Sequence, residues 1–382
     1  MKIRQKRFTH AAGWETIRED TGVGKDSQLV LVFGSRELLS ASGIFNAVHA
    51  DYPQAAILLN STAGEIHGAS VSDKSILLTA VYFEKTAIRT AKTHIGEAMT
   101  SFQAGRELGQ RLQHRGLKYV LVISDGQRVN GSELVQGLQD SLPENTIITG
   151  GLAGDGADFE KTLVGLDEEP LEGRIAAIGF YGDALKISYG SMGGWDPFGP
   201  ERLITKSAGN VLYMLDDQPA LDIYKMYLGE YAGELPGAGL LFPLCIRPRR
   251  PGPPLVRTIL SVSPEEKSLT FAGDMPEGTF ARLMKANFDR LIDGASQAGR
   301  DSISNNDGPP ELALLISCVG RKLVLDQRVE EEIEAVRAVL GPSTAITGFY
   351  SYGEICPSAG FLQCELHNQT MTITTFREEG IC

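Results

Sequence analysis

The feature that most constrains this chain is a segment that it writes three times. Ala345-Ile-Thr-Gly-Phe-Tyr-Ser-Tyr-Gly-Glu-Ile355 is a short apolar run ending in a polar turn that contains glycine. Ile57-Leu-Leu-Asn-Ser-Thr-Ala-Gly-Glu-Ile66 and Thr146-Ile-Ile-Thr-Gly-Gly-Leu-Ala-Gly-Asp155 follow the same plan. Each comes after a stronger strand candidate: Leu29-Val-Leu-Val-Phe33, Tyr119-Val-Leu-Val-Ile123 and Glu311-Leu-Ala-Leu-Leu-Ile-Ser-Cys318. Between strand and turn lie helical segments over 37–50, 131–141 and 328–339. A chain that returns to one supersecondary plan is expected to place the repeated turns in related positions.

The turns are followed by segments expected to fold back as further strands. Residues 75–83 read as a central strand with 86–93 as an edge, and 174–181 with 185–190 as a hairpin around Gly182-Asp183. A helix is expected over 101–114, where Phe102, Leu108 and Leu112 share an apolar face. The class is therefore α/β: a mixed-sheet, α+β-like architecture of repeated strand-helix-strand-hairpin units. The antiparallel hairpins argue against a purely parallel doubly wound sheet.

With 382 residues, two domains or one large pseudo-repeated body are the natural options. The expected division is an N-terminal extension over 1–25, a first domain over 26–205 and a second over 206–382. The glycine- and proline-rich stretch Gly193-Gly-Trp-Asp-Pro-Phe-Gly-Pro200 serves as connector. Pro219 starts a helix, where a missing amide proton costs least. In the second domain Arg247-Pro-Arg-Arg-Pro-Gly-Pro-Pro254 is a basic, proline-dense loop that no central helix or strand can contain. A hairpin over 257–271, a helix over 279–292, a polar mobile stretch over 302–310 and closing strands over 361–376 complete the expectations.

A formal net charge of -12 disfavours broad nucleic-acid contact. The five cysteines, Cys245, Cys318, Cys356, Cys364 and Cys382, are odd in number and lack metal-site spacing, which points to a reducing cytoplasm. The basic N-terminal flank has no apolar continuation, and no stretch is long enough to span a bilayer.

Several residues are candidates for chemistry, each with a plainer alternative. Gly150, Gly151, Gly154 and Gly156 allow backbone amides to approach an anion, or simply reverse the chain. Asp155 among them can receive a cationic group. Tyr350 and Tyr352 alternate in the strand direction and, with Glu354, form a trio suited to an amine, amide or hydroxyl; alternatively Glu354 braces the turn. Glu65 is its echo in the first repeat. His367 and Asn368 lie near Cys364, and Cys356 needs a base before it can act as nucleophile. Trp195 is a ligand wall or a pin between domains. Arg247, Arg249 and Arg250 are a partner-contact loop or a solvated face.

In their order along the chain, Asn60-Ser-Thr-Ala-Gly-Glu-Ile66, Gly150-Gly-Leu-Ala-Gly-Asp155, Pro219-Ala-Leu-Asp-Ile-Tyr-Lys-Met-Tyr-Leu-Gly229, Gly273-Asp-Met-Pro-Glu-Gly278, Gly348-Phe-Tyr-Ser-Tyr-Gly-Glu-Ile355 and Leu366-His-Asn-Gln-Thr-Met-Thr-Ile-Thr-Thr375 resemble the FIST family of sensory proteins. The resemblance implies FIST N-like and FIST C-like domains and a non-catalytic, cytoplasmic, bacterial sensor. A small ligand would bind in a cleft shaped by the repeated turns. The signal would pass to a separate partner such as a histidine kinase, a cyclic-dinucleotide enzyme or a chemotaxis component. Neither nucleic acid nor a membrane span is expected, and a homodimer is an open assembly. Haem is the one cofactor the resemblance leaves open, with a histidine such as His367 as a conceivable ligand in a nitric oxide sensor. A small-molecule hydrolase or transferase using Glu354 or Cys356 with His367 is the enzymatic alternative.

Overall fold

The computed structural model describes residues 1–41, 43–96, 98–247, 254–304, 308–358 and 363–379. The strongest apolar runs form parallel pairs with the strands that carry the repeated turns. Leu29–Gly34 pairs with Ala56–Ser61, Leu117–Ser124 with Ile147–Leu152, and Leu312–Cys318 with Ala345–Ser351. Leu29–Gly34 and Leu312–Cys318 are buried along their whole length, so they cannot show the polar-apolar alternation of a half-exposed strand.

Each pair is extended by an antiparallel third and fourth strand. These are Ser75–Tyr82 and Lys2–Thr9 in the first sheet, Arg174–Tyr181 and Ala87–His94 in the second, and Met371–Glu378 and Leu185–Met192 in the third. Among the described residues this gives three six-stranded sheets. Their inward faces meet in one core, with Leu31, Phe33 and Leu77 from the first, Leu121, Ile123 and Ile178 from the second, and Leu314, Ile316 and Phe349 from the third. Helices cover the outer faces. Ser101–Leu112 and Gly131–Ser141 pack outside the second sheet, and Phe288–Asp301 and Val329–Leu340 outside the third.

The two hairpins expected over 75–93 and 174–190 are instead crossings between sheets, whereas the one expected over 257–271 forms, with Ile259–Ser263 paired to Ser268–Phe271. Ser75–Tyr82 lies in the first sheet while Ala87–His94 lies in the second; Arg174–Tyr181 lies in the second while Leu185–Met192 lies in the third. Two adjacent strands with a short turn look the same in sequence whether the second folds onto the first or onto a neighbouring sheet. A distant contact helps fix the choice: the Glu378 carboxylate accepts from the backbone N–H groups of Glu84, Lys85 and Thr86 and holds that turn against the third sheet's last strand. The first 25 residues carry two strands, Lys2–Thr9 and Gly13–Glu19, that complete the first sheet.

Residues 196–285 form a separate layer, an eight-stranded sheet with the helix Ala220–Leu228 and its own core of Ile204, Leu221, Tyr224, Phe271 and Leu283. Within it the helix expected over 279–292 is replaced by the strand Phe280–Lys285, followed by the helix Phe288–Asp301. Ala281 and Leu283 point inward while the strand pairs with Asp196–Ala208 and Leu244–Ile246, and this tertiary pairing overrides local helix propensity. The helix start moves to Asn287, whose side chain accepts from the Arg290 N–H. The helix expected over 37–50 is two short helices, Arg36–Leu39 and Ile44–Asp51, with Gly43 at φ 96° before the second. Arg249 and Arg250 lie outside the described residues, as do 305–307 and 361–362; Arg247 pairs with Glu201 at 2.5 Å. No helix among the described residues is long and apolar enough to cross a membrane.

Candidate functional site

The parallel pairings place the three turns in strict correspondence. Ser61, Leu152 and Tyr350 occupy equivalent positions, as do Ala63, Gly154 and Tyr352 two residues later. All three turns lie at the carboxyl ends of their strands, the usual place for ligands in sheets of this kind. There they join in a closed ring of backbone hydrogen bonds. The Ala63 N–H donates to the Tyr350 carbonyl (2.8 Å), the Tyr352 N–H to the Leu152 carbonyl (3.2 Å) and the Gly154 N–H to the Ser61 carbonyl (3.0 Å). The repeated turns therefore form one hub.

After the hub two of the chains continue as strands into the next sheet. Glu65–His67 pairs with Ala345–Ser351, and Gly353–Pro357 pairs with Ile147–Leu152. Both continuing turns carry an acid at the same position, Glu65 and Glu354, and both acids are buried. Glu65 accepts from the hydroxyls of Thr62 (2.6 Å) and Ser75 (2.5 Å). Glu354 accepts from the Ser351 hydroxyl (2.7 Å) and from the Thr370 N–H and hydroxyl (3.2 and 2.9 Å). Burial pushes their carboxyls up to about 7 and about 8, against the pull of those hydrogen bonds.

The second turn departs from the pattern. Its equivalent of Glu65 and Glu354 is Gly156, and the carboxylate sits one residue earlier, at Asp155. Instead of continuing as a strand, the chain folds around that carboxylate. Asp155 accepts from the N–H groups of Phe159 (3.0 Å), Glu160 (3.1 Å) and Lys161 (2.8 Å), from the Tyr352 hydroxyl, and from Arg36 (2.8 Å). The Phe159 ring lies on Tyr352 with centroids 4.6 Å apart and planes at 17°.

The Tyr352–Phe159 stack forms one side of a cleft of about 480 Å³. Gly126 to Asn130 and Leu152 complete that side; Asn210, Leu260, Ser261 and Thr270 to Gly273 form the other, on the inserted sheet. The cleft thus lies where two separately cored bodies meet, a preferred location for small-molecule sites. Below it polar contacts join the two bodies. Buried Arg257 of the insert donates to the Leu366 carbonyl (2.9 Å), and Asn130 donates to Asp274 (3.0 Å). Tyr352 is itself immobilised: a Cβ on Gly126 would approach its ring at 3.1 Å and one on Gly154 at 3.3 Å, so only glycine leaves the ring its seat.

A second cleft of about 390 Å³ opens on the other side of Asp155, lined by Ser35, Arg36, Thr62 to Glu65, Asp73 and Asp158. Arg36 bridges Asp155 to Asp158 (2.8 Å) and Glu160 (3.3 Å) across its mouth. Lys322 donates to the Ala63 carbonyl (2.8 Å) and pairs with Asp73. Asp155 is the one residue of the turns that reaches both clefts, through Tyr352 on one side and Arg36 on the other. A larger groove of about 680 Å³ is lined by Thr146 and Ile148, at the opposite end of the strand Ile147–Leu152 from the hub.

Of the residues singled out in the sequence, Tyr352, Asp155, Gly156 and Glu65 reach the clefts. Gly150 and Gly151 lie inside a strand, where a Cβ on Gly150 would meet the Val122 carbonyl and Gly151 pairs with Glu354. Tyr350 is buried and donates to Glu332 (2.6 Å), which also pairs with buried Arg321 (2.8 Å). His367 lies across from Glu354 and meets the Cys356 carbonyl at 3.0 Å; burial lowers its pKa to about 4. Burial likewise pushes the Cys356 thiol up, away from the reactive thiolate. Asn368 is buried beside Gly353, with both side-chain amide atoms lacking a hydrogen-bond partner among the described residues. The Trp195 indole donates to the Gln369 carbonyl (2.9 Å) and packs with Met284, Leu291 and Leu325, at the joint between insert and body.

No histidine or cysteine among the described residues lines either cleft. No group of three or more His, Cys, Asp or Glu among the described residues is placed to hold a metal ion. Sequence reasoning did not single out Phe159, Arg36, Gln127, Arg128 or the insert's contributions. Gly273 alone of these carried a signal, as the first residue of the Gly273–Gly278 motif.

The sequence matches the FIST N domain over residues 28–218 and the FIST C domain over residues 220–357. No curated protein matches it. Among solved structures, a cyanuric acid hydrolase from A. caulinodans aligns over 100% of both chains with a TM-score of 0.37 and 7% identity, a likeness too slight to carry an argument.

Proposed function

The chain belongs to the FIST family, with both its N and C domains, and from that premise we propose that it is a non-catalytic sensor of a small molecule. FIST domains are sensory domains of signalling proteins. The observation that carries the reading is the 480 Å³ cleft between the three-turn hub and the inserted sheet, walled by Tyr352 and Phe159. A ligand touching both bodies has different contacts when they shift relative to each other, and such unequal affinity is what lets it bias a conformational equilibrium. The proposed setting is the bacterial cytoplasm. The proposed receiver is a separate signalling protein such as a histidine kinase, a cyclic-dinucleotide enzyme or a chemotaxis component.

Enzymatic use of Cys356 or His367 has less support. Both are sealed in the protein, one with its thiol held protonated and the other held neutral. Native mass spectrometry of gently purified protein tests the proposal. The expected result is a retained small molecule that is lost from Ser261→Trp, a substitution at an exposed cleft residue that fills the space without disturbing a core. Retention of the same molecule by the folded Ser261→Trp protein would refute the assignment of the cleft.

A further inference from the structure

Phe159 is the unusual member of the cleft wall. It is a bulky residue at φ 54°, in the left-handed region that side chains larger than glycine rarely adopt. It is kept there by its N–H, which donates to Asp155 (3.0 Å) and to the Tyr352 hydroxyl oxygen (3.2 Å). Its ring is only half-buried and lies nearly parallel to Tyr352, whereas the Tyr352 ring is buried and fixed by glycine backbones. One ring of the stack is thus rigid and the other is a strained, partly exposed residue on a loop. Residues held in such conformations cluster at ligand clamps and switch regions.

We propose that Phe159 occupies the seat of the ligand, so that the cleft takes a flat heteroaromatic ring which displaces Phe159 from the face of Tyr352. This rests on the reading of the cleft as the ligand site. The chemistry of the lining narrows the class further. Arg128 is the sole ionised side chain among the described lining residues and no carboxylate faces the cleft, which suits a neutral or anionic ring better than a cationic one. Gln127 and Ser261 make no side-chain hydrogen bond among the described residues and are available to the ring's edge. Arg128, paired with Glu172 at 2.9 Å near the surface, is available to an acidic substituent. Displacing Phe159 draws its N–H away from Asp155, and Asp155 is held on its other side by Arg36, which also holds Asp158 and Glu160. Entry of the ring therefore reaches the second cleft through one carboxylate.

The test is calorimetric titration of the full chain and of Phe159→Ala, with adenine, nicotinamide and indole-3-acetate as flat probes and glutamate and putrescine as flexible ones. Removing a competitor for the seat is expected to tighten binding of a flat probe about two- to tenfold, the worth of one aromatic stack. The same probe is expected to fail on Ser261→Trp. Weaker or unchanged binding to Phe159→Ala would show that the ring is simply part of the wall, and absence of binding by all three flat probes would also overturn the inference. Binding of glutamate or putrescine that is lost on Ser261→Trp, with no flat probe bound, would leave the cleft as a sensor site and remove only the ring. Binding indifferent to both substitutions would remove the cleft itself.

Discussion

Glu354 in the third turn and Asp155 in the second differ by one step in the repeat, and their surroundings differ far more. Glu354 is sealed, its acceptors taken by Ser351 and Thr370, and its turn runs straight on as the strand Gly353–Pro357. Glu65 in the first turn is its counterpart in almost every respect. Asp155 organises a loop, receives a tyrosine and an arginine from distant segments, and stands between two clefts. Two of the three repeated acids thus stabilise the hub, and the unit that breaks the repeat opens the site. In a pseudo-symmetric body the departure from symmetry is the more informative position.

Replacing the two acids separately tests that contrast most strongly. Glu354→Ala strands the buried Thr370 hydroxyl and N–H, while Ser351 keeps the Ser317 carbonyl, and should cost about 3 kcal/mol of unfolding free energy, measured by urea denaturation. An equal loss from Asp155→Ala would erase the distinction, since the loop around Asp155 is partly solvated.

The pH dependence sharpens it next. A carboxyl raised to about 8 in the folded state and near 4.5 when unfolded keeps a proton on folding, so its contribution is full below 4.5 and is lost as pH rises through 8. His367 works in the opposite sense between about 4 and 6.5, which leaves pH 6.5 to 8 as the clean window. There stability should fall by about 1.4 kcal/mol per pH unit on account of Glu354, with Glu65 adding to the fall only up to about 7. Glu354→Gln should flatten that slope, and a wild-type slope in the mutant would reassign the effect.

Smaller and more local changes are expected at Asp155. Asp155→Asn should cost about 1 kcal/mol globally while hydrogen exchange at the amides of Phe159, Glu160 and Lys161 rises well above wild type. Protection unchanged at those amides would mean that the loop is not held by this carboxylate. The smallest effect belongs to Asp158→Asn, which removes only an exposed pair with Arg36: less than about 1 kcal/mol, diminishing with added salt.

What the sequence determined by itself was the threefold plan. Apolar runs such as Leu29–Gly34 and turns such as Ser351–Glu354 are written in neighbouring residues, and buried parallel strands leave a continuous apolar signature that local reading detects. The equivalence of Glu65 and Glu354 was legible for the same reason. Tertiary structure alone decided which sheet each strand joins, because a strand's edge accepts any partner with matching hydrogen-bonding groups, and a turn such as Glu84–Thr86 is aimed by Glu378 from the far end of the chain. It also decided the site. Phe159 and Tyr352 are 193 residues apart, Arg36 and Asp155 are 119 apart, and the insert faces them from a third region, so their meeting follows from closure of the hub and leaves no trace in the spacing of any one segment.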